Sequence, residues 1–102
     1  PGEDDSSRNP FPPTSDSIAI GKAAYVSNCM LCHGISGRGD GPVSISLDPK
    51  PSDLVIHVPL HPERDLYRFI SDGIPDSAMK PMQGTLTDEE IWHLVNYIQA
   101  LD

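Results

Sequence analysis

Two thiols and an imidazole fall within five residues, in the run Cys29-Met30-Leu31-Cys32-His33. A C-x-x-C-H pentad is the attachment signature of a c-type haem. Two thiols that add to the two vinyl groups along one porphyrin edge must sit about one helical turn apart. The next residue, His33, can then place an imidazole nitrogen on the iron from the same side. The chain holds only two cysteines, and both are used here.

Other chemistries of this spacing are weaker. A thioredoxin-like redox pair needs a βαβ setting, and no alternation of strand and helix is evident. A zinc site would need His33, His57, His61 or His93 to complete it. No second C-x-x-C follows, and His57 and His61 lie in a Pro-punctuated stretch. A Cys29–Cys32 disulfide would close a very small loop and stabilise little.

At 102 residues the chain is one small domain. Only 37% of it is apolar and 6% aromatic, a thin core for independent folding. A covalent haem would add apolar surface, as metals and disulfides do in other small domains. The eleven prolines and eight glycines suit long loops around a planar cofactor. The net charge of −8 argues against nucleic acid, which needs a basic stripe. It suits solubility and encounter with a basic partner face.

No stretch reaches the length of a transmembrane helix, and residues 1–15 have no apolar signal-peptide core. Those residues carry Pro1, Pro10, Pro12 and Pro13 among Glu3, Asp4, Asp5 and Arg8, which is linker composition. The expected organisation is therefore a Pro-rich acidic linker or tether at 1–15 and one domain at 16–102. A tether implies something beyond it, such as a lipid anchor, a membrane helix or another domain.

The elements that must position the pentad are helical. Asp16 or Ser17 is the expected N-cap of a first helix. Ile18, Ile20, Ala23, Ala24 and Tyr25 give it an apolar pattern that runs into Cys29. Residues 34–42 hold four glycines and read as a loop in close backbone contact. Residues 42–59 read as irregular, with a short buried segment at 54–58. Residues 63–70 form an amphipathic helix, with Pro62 at its first turn and Gly73 beyond its end. Thr87-Asp88-Glu89-Glu90 is a capping box. It opens a last helix whose apolar stripe is Ile91, Leu94, Val95, Ile98 and Leu101. The expected class is all-α, with three to four helices joined by long loops.

On these residues the chain resembles a class I, single-haem cytochrome c over roughly residues 18–102. Gly21-Lys22-Ala23-Ala24-Tyr25 followed by Cys29-x-x-Cys32-His33-Gly34 resembles the family's first helix and haem motif. Gly37-x-Gly39-Asp40-Gly41-Pro42 is similar to the loop that follows it. Residues 73–79 and 86–92 are similar to the ligand loop and the last helix. The resemblance implies the cytochrome c fold around one covalent haem c. It implies that Gly21 and Tyr25 cross Leu94 and Tyr97.

It also implies a methionine sixth ligand, which raises the reduction potential. Met79 lies seven residues before Leu86, as the family's ligand does, and Ala78 precedes it. Met82 lies in the same loop and is the alternative, with a histidine or an open position behind both. The resemblance makes the Pro42 carbonyl the acceptor for the second ring nitrogen of His33. Arg38, Lys50, Ser52 and Trp92 are the candidate donors to the propionates.

A six-coordinate His/Met iron has no open position, which argues against an enzyme and for electron transfer between redox proteins. The alternative is a haem sensor or gas-binding domain with a labile methionine. Donor and acceptor are unnamed; a membrane oxidase or reductase complex is the type of partner implied. The expected location is periplasmic or otherwise extracytoplasmic, with membrane anchoring through the tether.

Overall fold

A computed structural model describes residues 8–101 of the chain. It contains five α-helical segments: α1 Ser15–Asn28, α2 Met30–His33, α3 Leu54–His57, α4 Glu63–Asp72 and α5 Asp88–Gln99. Short 3-10 turns lie at Ser44–Ser46 and Val58–Leu60. The described residues contain no strand, only an isolated bridge between Gln83 and Leu86. The all-α class is the class expected, with α1, α4 and α5 as the long elements and α2 and α3 as single turns.

The helix ends follow local chemistry. The capping box forms: Glu90 N–H donates to Thr87 Oγ1 at 3.1 Å and Thr87 N–H to Glu90 Oε1 at 2.8 Å. Gly73 closes α4 at φ 76°, and Pro62 serves as the N-cap of that helix rather than inside its first turn. The N-cap of α1 is Thr14, whose Oγ1 accepts from Ser17 N–H at 3.1 Å, and not Asp16 or Ser17.

The core is Tyr25, Val58, Leu66, Ile70, Ile91, Trp92, Leu94, Val95 and Ile98. Its centre is the crossing of α1 on α5, the largest helix contact. Of the apolar pattern of α1, only Tyr25 lies on the fully buried face. That face is Ser17, Gly21 and Tyr25, spaced four apart, while Ile20 and Val26 stand exposed. The reason is backbone proximity. A Cβ on Gly21 would run into the His93 carbonyl and lie 2.8 Å from Tyr97 Cβ. Below that contact the Tyr25 and Tyr97 rings meet edge to face at 5.2 Å.

Residues 9–14, the end of the expected linker, make contacts with the helices. They lie along α5 as a strap. Asn9 N–H donates to Glu63 Oε2 at 2.9 Å, and Asn9 Nδ2 donates to Trp92 O at 3.2 Å and Asn96 Oδ1 at 2.8 Å. The buried Asn96 amide donates back to Phe11 O at 3.1 Å and to Ser17 Oγ at 2.8 Å. Ser17 Oγ is in turn hydrogen-bonded with His93 Nδ1, 2.6 Å away. Phe11 packs on the His93 ring at 4.3 Å. A buried amide demands such partners, so Asn96 recruits a proline-rich segment that composition assigns to solvent. The rest of the expected linker, residues 1–7, lies outside the described residues.

Gly21→Ala tests the crossing. Alanine gains about 1 kcal/mol in helix propensity, but the methyl forces the two helices apart at an overpacking cost of about 1–3 kcal/mol. Because the obstacle is backbone, the upper end applies, and thermal unfolding of the haem-loaded protein should show a net loss of about 2 kcal/mol. An unchanged or raised Tm would mean that the crossing is looser than described.

Candidate haem site

The last turn of α1 passes almost directly into the pentad. Cys29 N–H donates to Tyr25 O at 2.7 Å and His33 N–H to Cys29 O at 2.9 Å, so Cys29 to His33 form one helical turn. Cys29 and Cys32 are free and half-buried. Burial, with Cys32 close by, pushes the Cys29 thiol up to about 11. Tyr25 anchors the turn from below, its hydroxyl donating to Gly34 O at 2.5 Å. Burial raises the Tyr25 phenol well above its ordinary value, so it stays a donor.

The carbonyls at the end of a helical turn need partners, and the glycine loop supplies them. Gly39 N–H donates to His33 O at 2.8 Å, Gly41 N–H to Cys32 O at 3.0 Å and Val43 N–H to Leu31 O at 3.0 Å. The expected close backbone approach of residues 34–42 is therefore made to the pentad itself.

Pro42 does not hold His33. His33 Nδ1 lies 3.0 Å from the carbonyl of Ser52. The physical reason is the path of the loop. Pro42 sits between Gly41 and Val43, which bond along the outside of the turn, and it is exposed. Residues 51–54 are drawn inward instead: Leu54 N–H donates to Gly37 O at 2.6 Å. Gly39, at φ +80°, lets this segment approach until Pro51 O would lie 2.6 Å from any Cβ there. Asp53 then starts α3 by accepting from Val55 N–H at 3.0 Å and Ile56 N–H at 3.3 Å.

A carbonyl partner requires the proton on Nδ1, which leaves the Nε2 lone pair free for a metal. Burial lowers the His33 pKa, opposed by the Ser52 hydrogen bond, and the net direction favours the neutral, ligating form.

The loop between α4 and α5 carries two thioethers. Ile74 N–H donates to Met79 O at 3.2 Å, Ser77 Oγ to Ile74 O at 2.7 Å, and Met79 N–H to Ser77 Oγ at 3.2 Å, making a compact hairpin after Gly73. Met82 is tied to its surroundings at both backbone groups. Its N–H donates to Ile70 O at 2.9 Å, and its carbonyl accepts from Thr85 and Leu86. Both side chains are half-buried against the core. Of the candidate propionate donors, Arg38, Lys50 and Ser52 are exposed, whereas Trp92 is buried with its ring on Tyr67 at 4.4 Å.

These residues fit a covalent haem. Two free thiols stand one turn apart, a neutral imidazole offers Nε2, and two thioethers lie in one loop. Ile56, Leu60 and Ile74 stand exposed on the intervening segments, apolar surface of the kind a porphyrin covers. A zinc centre takes several Cys, His or carboxylate donors, and the described residues hold no group of three or more placed for one.

The family model described as "Cytochrome C oxidase, cbb3-type, subunit III" matches residues 16–98. Among solved structures, a chain of the reducing HAO-like protein complex Kustc0457/Kustc0458 of Kuenenia stuttgartiensis is 30% identical, with a TM-score of 0.77 over 89% of this chain and 46% of that one. Cytochrome CL of Methylophaga aminisulfidivorans is 24% identical, with a TM-score of 0.67 over 86% of this chain and 57% of that one. The KustC0563 c-type cytochrome is 23% identical, with a TM-score of 0.64 over 78% of this chain and 93% of that one. The chain thus spans about half the length of the first two. No curated protein matches it.

Covalent attachment through Cys29 and Cys32 has a direct test. Haem should stay with the polypeptide on a denaturing gel, and the Cys29→Ala/Cys32→Ala double variant should lose it. Release of all haem from the denatured wild-type chain would contradict attachment.

Proposed function

This chain belongs to the cytochrome C oxidase, cbb3-type, subunit III family, as a mono-haem cytochrome c domain carrying haem c, and we infer from that premise that it transfers single electrons with His/Met ligation. The observation that carries the reading is the pentad turn with His33 Nδ1 held by Ser52, which leaves Nε2 aimed away from the chain's own hydrogen bonds.

When bound, haem c supplies a one-electron Fe(II)/Fe(III) couple. The residues do the rest. Cys29 and Cys32 hold the porphyrin edge through two thioethers. His33 Nε2 would ligate the iron, with ring orientation and basicity set by the Ser52 carbonyl. Met79 Sδ would be the second ligand, a soft donor that favours the ferrous state. Its hairpin touches the rest of the fold at Gly73, where a Cβ would lie 2.8 Å from Met79 O. The many backbone bonds of Met82 suit a packing role at the end of α4. A haem held by both residues would offer no open position to a substrate, which supports electron transfer over catalysis in this reading.

The partners are redox proteins. The family description names an oxidase subunit, and one relative is part of an HAO-like complex. We therefore place this domain in or beside a larger redox assembly, in an extracytoplasmic compartment such as the periplasm. Among the described residues no helix is long and apolar enough to cross a membrane, so a membrane anchor would lie elsewhere in the protein.

Met79→Ala should abolish the weak near-infrared band that reports methionine sulfur on ferric haem. It should also lower the midpoint potential, by a part of the roughly 0.8 V that axial ligands span. Met82→Ala should leave the band in place. The reverse pattern moves the ligand to Met82. A wild-type protein without the band that binds carbon monoxide readily when reduced would support the gas-binding reading instead.

A further inference from the structure

Tyr67 on α4 and Trp92 on α5 meet ring to ring, with centroids 4.4 Å apart and planes 30° from parallel. Trp92 is the single tryptophan of the chain and is buried. Tyr67 is half-buried, where α4 packs on α5. The Tyr67 hydroxyl donates to Asp88 Oδ1 at 2.7 Å. Asp88 is exposed, at the first residue of α5. A path therefore runs from the core, through two stacked rings, to a carboxylate at the surface.

Electron-rich rings in contact exchange electrons readily, but a phenol adds a condition. Losing an electron turns it into a strong acid, so its proton must leave as well, to a base within hydrogen-bond reach. The tyrosines differ in this respect. Tyr25 donates to the carbonyl of Gly34, which does not hold a proton. Among the described residues, only the Tyr67 hydroxyl is bonded to a carboxylate. Burial, with the Asp88 bond behind it, raises the Tyr67 phenol to about 12, so it keeps its proton until an electron leaves.

We propose that Trp92, Tyr67 and Asp88 form a one-electron oxidation site, in which a hole on the indole passes to the phenol as the phenolic proton passes to the carboxylate. Its substrate class is a strong one-electron oxidant, such as an oxygen- or halogen-derived radical. The site is separate from the iron couple and does not rest on the electron-transfer reading. The oxidant takes one electron from Trp92 and leaves as its reduced anion. Tyr67 returns one electron to the indole, and its proton moves from the phenol oxygen to Asp88 Oδ1, 2.7 Å away. The products are closed-shell Trp92, a neutral tyrosyl radical and a protonated carboxyl group. The base sets the direction, because the hole settles on the ring whose proton has an acceptor. An enediol reductant such as ascorbate then supplies one electron, Asp88 gives the proton back, and the phenol is restored.

The test uses the haem-loaded protein in its ferric state and the dibromide radical anion, made by pulse radiolysis, which oxidises indole in preference to phenol. Freeze-trapped samples should show the tryptophan radical giving way to an equal amount of neutral tyrosyl radical. Ring-deuterated tyrosine assigns that signal by narrowing its EPR lines. Tyr67→Phe keeps the stacked ring and should leave the tryptophan radical standing. Asp88→Asn keeps a hydrogen-bond acceptor but no base. It should slow the transfer about a hundredfold, the lower end of what a positioned base supplies. Asp88→Glu should restore much of the rate, and the wild-type transfer should be slower in heavy water. Tyrosyl radical formed at the wild-type rate in Tyr67→Phe, or none formed in the wild type, would overturn the proposal. So would a rate indifferent both to Asp88→Asn and to heavy water, which would leave the Tyr67–Asp88 bond as a tie between two helices. None of these results bears on the haem reading, which its own ligand band decides.

Discussion

The absence of a side chain at Gly21 is the constraint on which the structure depends. It lets α1 lie against the backbone of α5 at His93. Everything at the haem end of α1 inherits its position from that contact. Tyr25, one turn along the same buried face, reaches Tyr97 with its ring and Gly34 with its hydroxyl. The tyrosine therefore ties the helix crossing to the end of the pentad turn. A longer side chain at position 21 would move the thiols and the imidazole together, as a rigid unit, relative to α5.

The pentad turn is in turn fixed by saturation of its carbonyls. An exposed helical turn of five residues would fray, since its end groups have no intrahelical partners. Here three consecutive carbonyls, of Leu31, Cys32 and His33, accept from the returning loop. That loop brings residues 51–54 across the imidazole, where Ser52 selects the tautomer. Positioning of the imidazole thus comes from backbone groups.

The strap shows how a buried polar group organises a segment of weak intrinsic preference. Residues 9–14 have prolines and little apolar character beyond Phe11. They are ordered because Asn96, deep in α5, has donors and an acceptor that water cannot reach. The strap meets those needs and closes over His93 and Trp92. A local pattern of linker residues could not reveal this, because the demand originates more than eighty residues away.

By itself the sequence determined what was covalent or local. The C-x-x-C-H spacing, the capping box at Thr87 and Glu90, the glycine stop at Gly73 and the 3.6-residue stripe of α5 are short-range signals. Each stood where the structure has it. The pairing of Gly21 and Tyr25 with α5 was legible only through resemblance to a family. Tertiary structure alone decided the acceptor for His33, the buried face of α1 and the fate of the strap. In all three, the choice lay between backbone or polar partners far apart in the chain. Hydrophobic periodicity carries no information about such partners, since a carbonyl is present at every residue and only the path of the folded loop selects Ser52 over Pro42.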